Sequence, residues 1–181
     1  MSSGQQDDPA VKATQEWLAQ FVIQHNLCPF AAKPFREQRI RYARYAVDTE
    51  EALVDSLIDE ILLLKEADPQ QTETSLVIVP AMLADFLEYN QFLDVADALL
   101  AQLEVVGMIQ IASFHPDYQF ADLSSDDVRN YTNRSPYPMF HLIREDSIEQ
   151  ARGMMDTDAI PERNMALLLE LGIDKVTGKG S

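Results

Sequence analysis

An α/β domain with one mixed, mostly parallel four-stranded sheet covered by helices is the fold class that the order of elements predicts. Apolar or alternating runs at 39–47, 76–79, 108–114 and 139–144 have the length and pattern of strands. Stretches of helical period separate the first three runs, and strands linked through a helix form parallel crossover units. The chain's 181 residues, 46% hydrophobic and 24% charged, make one domain able to bury roughly 70% of the surface its unfolded form exposes. A ferredoxin-like α+β arrangement is the main alternative. It is disfavoured because a helix stands between the second and third strands, where that fold needs a hairpin.

Residues 1–8 read as a flexible polar tail, 9–173 as a single globular domain, and 174–181 as a second tail. Asp8 followed by Pro9 starts the first helix, with a capping oxygen and then a fixed φ at the first helical position. Trp17, Leu18, Phe21 and Val22 carry its apolar stripe to about His25, and Pro29 and Pro34 break it. Arg39–Val47 alternates apolar and basic residues as a strand with one polar side. Asp48 and Glu51 form a capping-box-like pair. Val54, Leu57, Ile58, Ile61 and Leu62 supply the next core stripe, which ends before Pro69. Leu76–Val79 is a short buried strand. A long helix from Leu83 to Val105 follows, with Gly107 in the position of its C-terminal cap. Met108–Phe114 and Met139–Arg144 are strands joined through a loop and a short helix capped by Ser124 or Ser125. Asp146 with Glu149 caps a short helix, and Pro161 opens a last one that ends at Gly172.

A net charge of −16 argues against a general nucleic-acid binder, since phosphate affinity needs a basic surface, and against attraction to anionic membranes. The one cysteine forms no internal disulfide, which suits a reducing compartment. The start MSSGQQDDPA lacks the basic and apolar regions of a secretory signal, and no run of about 18 apolar residues exists. A cytoplasmic protein is expected.

Chemistry-bearing residues concentrate in two places. The first is the window from Cys28 to Arg44, where Lys33, Arg36, Arg39, Arg41 and Arg44 accompany a single acid, Glu37. A positive field lowers a thiol pKa, so Cys28 is a candidate nucleophile or redox centre; its bland reading is a buried small hydrophobe. Strand alternation puts Arg39 and Arg41 on one face, where two guanidinium forks suit a carboxylate or phosphate. Internal pairing with the surplus Asp and Glu is the alternative.

The second place is Ser113–Glu145, with two of the three histidines, three prolines and six aromatics. His115 falls at the carboxyl end of a strand, where ligands gather in open α/β sheets, and is a candidate acid or base. Asp117 and Tyr118 stand beside it. Asn133, Arg134 and Ser135 put amide, guanidinium and hydroxyl donors before the stiffening Pro136 and Pro138 and are candidate ligand contacts, Arg134 first. His141 lies within a strand beside Met139 and Ile143, more in the manner of a core histidine. Arg144, on the other face, could contact an anion. His25 reads as a helix cap.

Phosphate loops of the GxxxxGK[ST] or GxGxxG type, the GxSxG elbow, HExxH and paired CxxC spacings are all absent. Three dispersed histidines and one cysteine form no metal signature, so no metal ligand set is assigned.

On the residues LCPFA, RIRYARY, SFHPDYQFAD and NYTNRSPYPMFHLIRE, the chain resembles a bacterial and plastid family known as a domain of unknown function. The resemblance runs from about Trp17 to Leu171. It implies a single cytosolic domain and brings no activity, cofactor or catalytic residue.

Three functions are therefore in view. The first is an enzyme acting on a small anionic metabolite, with Arg39, Arg41 and Arg134 gripping the charge, His115 moving a proton and Cys28 attacking. The others are a non-catalytic small-molecule-binding or regulatory module and a metal protein. The first expects the cationic strand and the proline-stiffened loop to share one cavity. Cofactor, substrate and oligomeric state are left open.

Overall fold

The computed structural model describes residues 7–153 and 156–178, so residues 1–6 of the expected tail at 1–8 lie outside them. Asp8 caps α1 (Pro9–Trp17), its carboxylate accepting the Ala10 amide at 2.8 Å. The helix continues as a π-helical segment, Leu18–Ile23, and ends at Asn26, whose φ of 52° allows the Leu27 amide to reach back to the Val22 carbonyl. α2 (Ala32–Arg36) leads into β1 (Ile40–Arg44). Then come α3 (Glu50–Glu66), β2 (Thr74–Ile78), α4 (Phe86–Gln102) and β3 (Ile109–Phe114). A 3₁₀ segment (Val128–Thr132), β4 (Met139–Arg144), α5 (Glu145–Arg152), α6 (Ile160–Leu171) and α7 (Ile173–Val176) follow among the described residues. α7 occupies part of the expected C-terminal tail.

The four strands form one sheet in the order β1-β2-β4-β3. β1 and β2 are parallel neighbours, and β4 is antiparallel to both β2 and β3. The sheet is mixed as expected, but its antiparallel pairings outnumber the parallel one. The cause is the connection 115–138, which leaves and rejoins the sheet at the same end, so β4 must run back. β2-α4-β3 with β4 inserted is a split β-α-β unit, a feature of the ferredoxin-like alternative. The parallel β1–β2 pair rules out that fold's all-antiparallel sheet.

Helices cover both faces. On one, Leu53, Leu57, Ile61 and Leu64 of α3 and Tyr89, Phe92, Ala96 and Leu99 of α4 pack on Val77, Phe140 and Leu142. On the other, Ala10 and Val11 meet Ile78 and Met139, while Leu18, Val22, Val128 and Leu168 surround Leu76. Alternation along each strand sends neighbours to opposite faces, which is why Leu76 and Val77 belong to different clusters.

Local expectations shift at several caps. Thr49, not Asp48, caps α3, accepting the Ala52 amide at 3.2 Å. α4 starts three residues after Leu83, where Asp85 accepts the Leu87 and Glu88 amides. It ends at Glu104 (φ 54°), whose following residue Val105 bonds back to Leu100, while Gly107 (φ 81°) shapes the next turn. Asp127 caps the 3₁₀ segment in place of Ser124 or Ser125, and Arg144 stands before α5 without a side-chain cap. The stripe of α3 is turned by one position, so that Leu62 is 39% exposed while Leu57 is fully buried.

Leu57→Ala should therefore lower unfolding stability by about 2–5 kcal/mol, the range for a buried leucine that leaves a cavity. Leu62→Ala should stay within about 1 kcal/mol. Urea titrations followed by circular dichroism compare the two directly.

Candidate functional site

The arginines of β1 meet the protein's own carboxylates. Arg39 precedes the strand with its side chain only 9% exposed, and donates to Glu37 at 2.8 Å, to Glu73 and to the Pro69 carbonyl at 3.0 Å. Arg41 lies within β1. Its Nε and Nη2 reach Glu60 of α3 at 3.0 and 2.7 Å, and the Tyr45 hydroxyl donates to the same carboxylate at 2.9 Å. Glu60 is 1% exposed, so the pair is half enclosed and holds α3 to the edge strand. Arg44 lies 3.2 Å from the Asp8 carboxylate, tying β1 to the cap of α1. Hydrogen bonds to Glu60 raise the Arg41 pKa, and those to Glu37 and Glu73 more than offset the effect of burial on Arg39.

His115 immediately follows β3, at the end of the sheet where β1, β2 and β3 finish. Its ring is fully buried between Tyr89 and Phe86, at centroid distances of 5.1 and 5.4 Å. Nδ1 accepts the Asp117 amide at 2.9 Å, and Nε2 lies 2.9 Å from the Leu83 carbonyl. An amide only donates and a carbonyl only accepts, so the proton sits on Nε2 and the ring is neutral. Both nitrogens are committed to backbone, and neither faces a reactant.

The loop carrying Asn133, Arg134 and Ser135 closes over the same strand end. The His115 amide donates to Asn133 O at 3.2 Å, and Asn133 Nδ2 donates to Ser113 O at 3.0 Å. Ser135 is buried with its hydroxyl given to Tyr137 O at 2.7 Å. Arg134 donates to the Tyr118 and Ser125 carbonyls at 3.1 and 2.6 Å, and its guanidinium carbon lies 4.7 Å over the Tyr131 ring. Tyr118 in turn rests on Phe86 and Phe120. This loop therefore adjoins His115, whereas Arg39 sits at the far end of β1. A joint cavity would have to span the strand, whose ends at this length lie about 17 Å apart.

His141 and Arg144 go to opposite faces of β4. The Thr74 hydroxyl donates to Leu142 O and so accepts from His141 Nε2 at 2.8 Å, which leaves Nδ1 as the bare nitrogen. Burial pushes the His141 pKa down to about 4. Arg144 donates to the carbonyls of Leu64, Ala67 and Thr72, closing the C-terminal end of α3, and burial lowers its pKa. Cys28 packs at the edge of the Leu18–Leu168 cluster. Burial raises its thiol pKa, outweighing the Phe30 and Ala31 amides and nearby Arg163, which favour the thiolate. Arg163 and Asn164 of α6 hold this loop through the Asn26 and Leu27 carbonyls. His25 lies edge-on to Phe21.

A different group of residues forms a recess of its own. An open trough of about 850 Å³ runs between the N-terminal turns of α3 and α4, beyond the carboxyl ends of β1 and β2. Met82, Leu83, Phe92 and Val95 give it apolar walls, and Glu50, Asp85 and Glu88 give it charge. None of these is among the candidate site residues read from the sequence. The signal was present in PAMLADFLE, which links a parallel strand to the next helix, where such sheets collect ligands. Among the described residues, no group of three or more His, Cys, Asp or Glu is placed to hold a metal ion, and no helix is long and apolar enough to cross a membrane.

Fold and recess together define a single mixed α/β domain with a crevice at its strand ends. The chain belongs to the family described as protein of unknown function (DUF1415), whose model matches residues 9–178. No curated protein and no solved structure matches it.

Three outcomes are expected from this geometry. Arg41→Met leaves Glu60 buried without its cation and should cost about 2 kcal/mol or more, below the roughly 3–5 of a fully enclosed pair because part of Arg41 is solvated. Restoring much of that stability in Arg41→Met/Glu60→Leu would mark the pair as structural, by urea denaturation. The folded pKa of His141 lies below its ordinary 6.5, so the unfolded chain binds that proton more readily. Stability owed to neutral His141 is complete above about pH 6.5 and declines as pH falls toward about 4. His141→Gln should flatten this part of the profile relative to the parent protein. Finally, Cys28 should react with iodoacetamide more slowly in the folded protein than in urea at the same pH, as read by mass spectrometry.

Proposed function

We propose that the protein is a non-catalytic binding module for a small amphipathic cation, held in the trough between α3 and α4. The observation that carries this reading is the lining: carboxylates of Glu50, Asp85 and Glu88 around apolar walls of Met82, Leu83, Phe92 and Val95. Helix N-termini ordinarily attract anions. Here Thr49 and Asp85 already take the leading amides, and added acids reverse the sign at the mouth. A binding role also agrees with His115 being saturated by backbone and Cys28 being held as a thiol.

The second reading is the enzyme acting on a small anionic metabolite. It draws support from Arg134, which has carbonyl and aromatic contacts but no carboxylate partner among the described residues. Its ligand would lie by the 113–137 loops, away from Arg39 and Arg41.

A thermal-shift and calorimetry panel separates the two. Aliphatic diamines and quaternary ammonium compounds should raise the melting temperature, with affinity falling as salt is added and at least about fivefold weaker in Glu50→Gln/Glu88→Gln. Binding of dicarboxylates or phosphate monoesters that depends on Arg134, with no response to the cations, would transfer the assignment to the second reading.

A further inference from the structure

We propose that His115 is the positioning residue of the trough, clamping its loop wall to the end of the sheet. This rests on the reading of the trough as the ligand site. The wall turns on Leu83, whose φ of 56° lies in the left-handed region that residues with a side chain enter at a cost. Such a conformation persists only where its surroundings over-determine it.

The surroundings here are few and specific. The Leu83 carbonyl receives the Nε2 proton of His115 at 2.9 Å, and its side chain packs against the α3–α4 core cluster. Phe86, on the first turn beyond the loop, lies against the same imidazole. The ring itself cannot follow the loop. Nδ1 is held by the Asp117 amide, and Tyr89 lies against the ring while joining β3 to β4 by accepting the Phe114 amide at 3.0 Å and donating to Met139 O at 2.6 Å. Backbone bonds from His115 to Asn133 and Ser135 fasten it on a further side. A rigid donor thus meets a loop whose strained residue would otherwise relax, and the width of the trough follows from where that donor stands.

The two nitrogens can be separated by substitution. His115→Gln can keep a donor near the Nε2 position, while His115→Asn can keep an acceptor near Nδ1 and loses reach to Leu83. Amide hydrogen exchange across 81–86 should quicken about two- to tenfold in His115→Asn, the range expected for one lost hydrogen bond, and stay near the parent rate in His115→Gln. The β2 and β4 amides should change in neither, which a general loss of stability would not allow. Calorimetry with cadaverine, an aliphatic diamine, should show weaker binding to His115→Asn than to His115→Gln.

Unchanged loop exchange in His115→Asn overturns the clamp. Cadaverine failing to bind the parent protein counts against the trough as a cation site while the exchange result still decides the clamp. Should neither variant fold, ¹⁵N shifts of the imidazole in the parent protein decide: a protonated Nε2 and bare Nδ1 near neutral pH support the clamp, and a proton on Nδ1 overturns it.

Discussion

β2 is buried along its whole length and β4 over most of its first half, and this constraint organises the polar interior. A strand covered on both faces has little water at hand, so its polar groups favour partners within the protein, although the Ser75 hydroxyl of β2 has none among the described residues. Thr74 finds partners by joining His141 to the Leu142 carbonyl, and Tyr89 by joining Met139 to Phe114. Arg144 spends its guanidinium on the carbonyls that end α3. Residues with the look of chemistry are thereby committed to cohesion.

The charge balance acts in the same direction. With 30 acidic residues against 14 Lys and Arg, several arginines find a carboxylate nearby. Arg39, Arg41, Arg44 and Arg129 all do so. Some of the remaining acids, Glu50 and Glu51 of α3 and Glu88 of α4 among them, stand in the first turn of a helix, where they also complement its dipole. An acidic, apolar-walled mouth at the strand ends is the outcome.

Much of the fold could be read in the chain because local rules agreed with one another. Asp8-Pro9 starts α1, and Met139–Arg144 is the span expected for β4. The readings that shifted depended on choices between neighbours, such as Thr49 over Asp48 or Leu53 over Val54, where a rotation of one residue changes the exposed side. The candidate site was less legible. The eye goes to histidine, cysteine and arginine, yet the trough is lined by leucine, methionine, phenylalanine and carboxylates that by themselves signal only a helix start.

Sequence alone determined the elements, their order, the acidic balance and the absence of familiar phosphate-loop or metal spacings, because these are properties of neighbouring residues and of totals. Tertiary structure decided the direction of β4, the partners of each arginine and the tautomers of His115 and His141. Those depend on groups tens of residues apart, brought together only when the 115–138 connection returns β4 between β2 and β3.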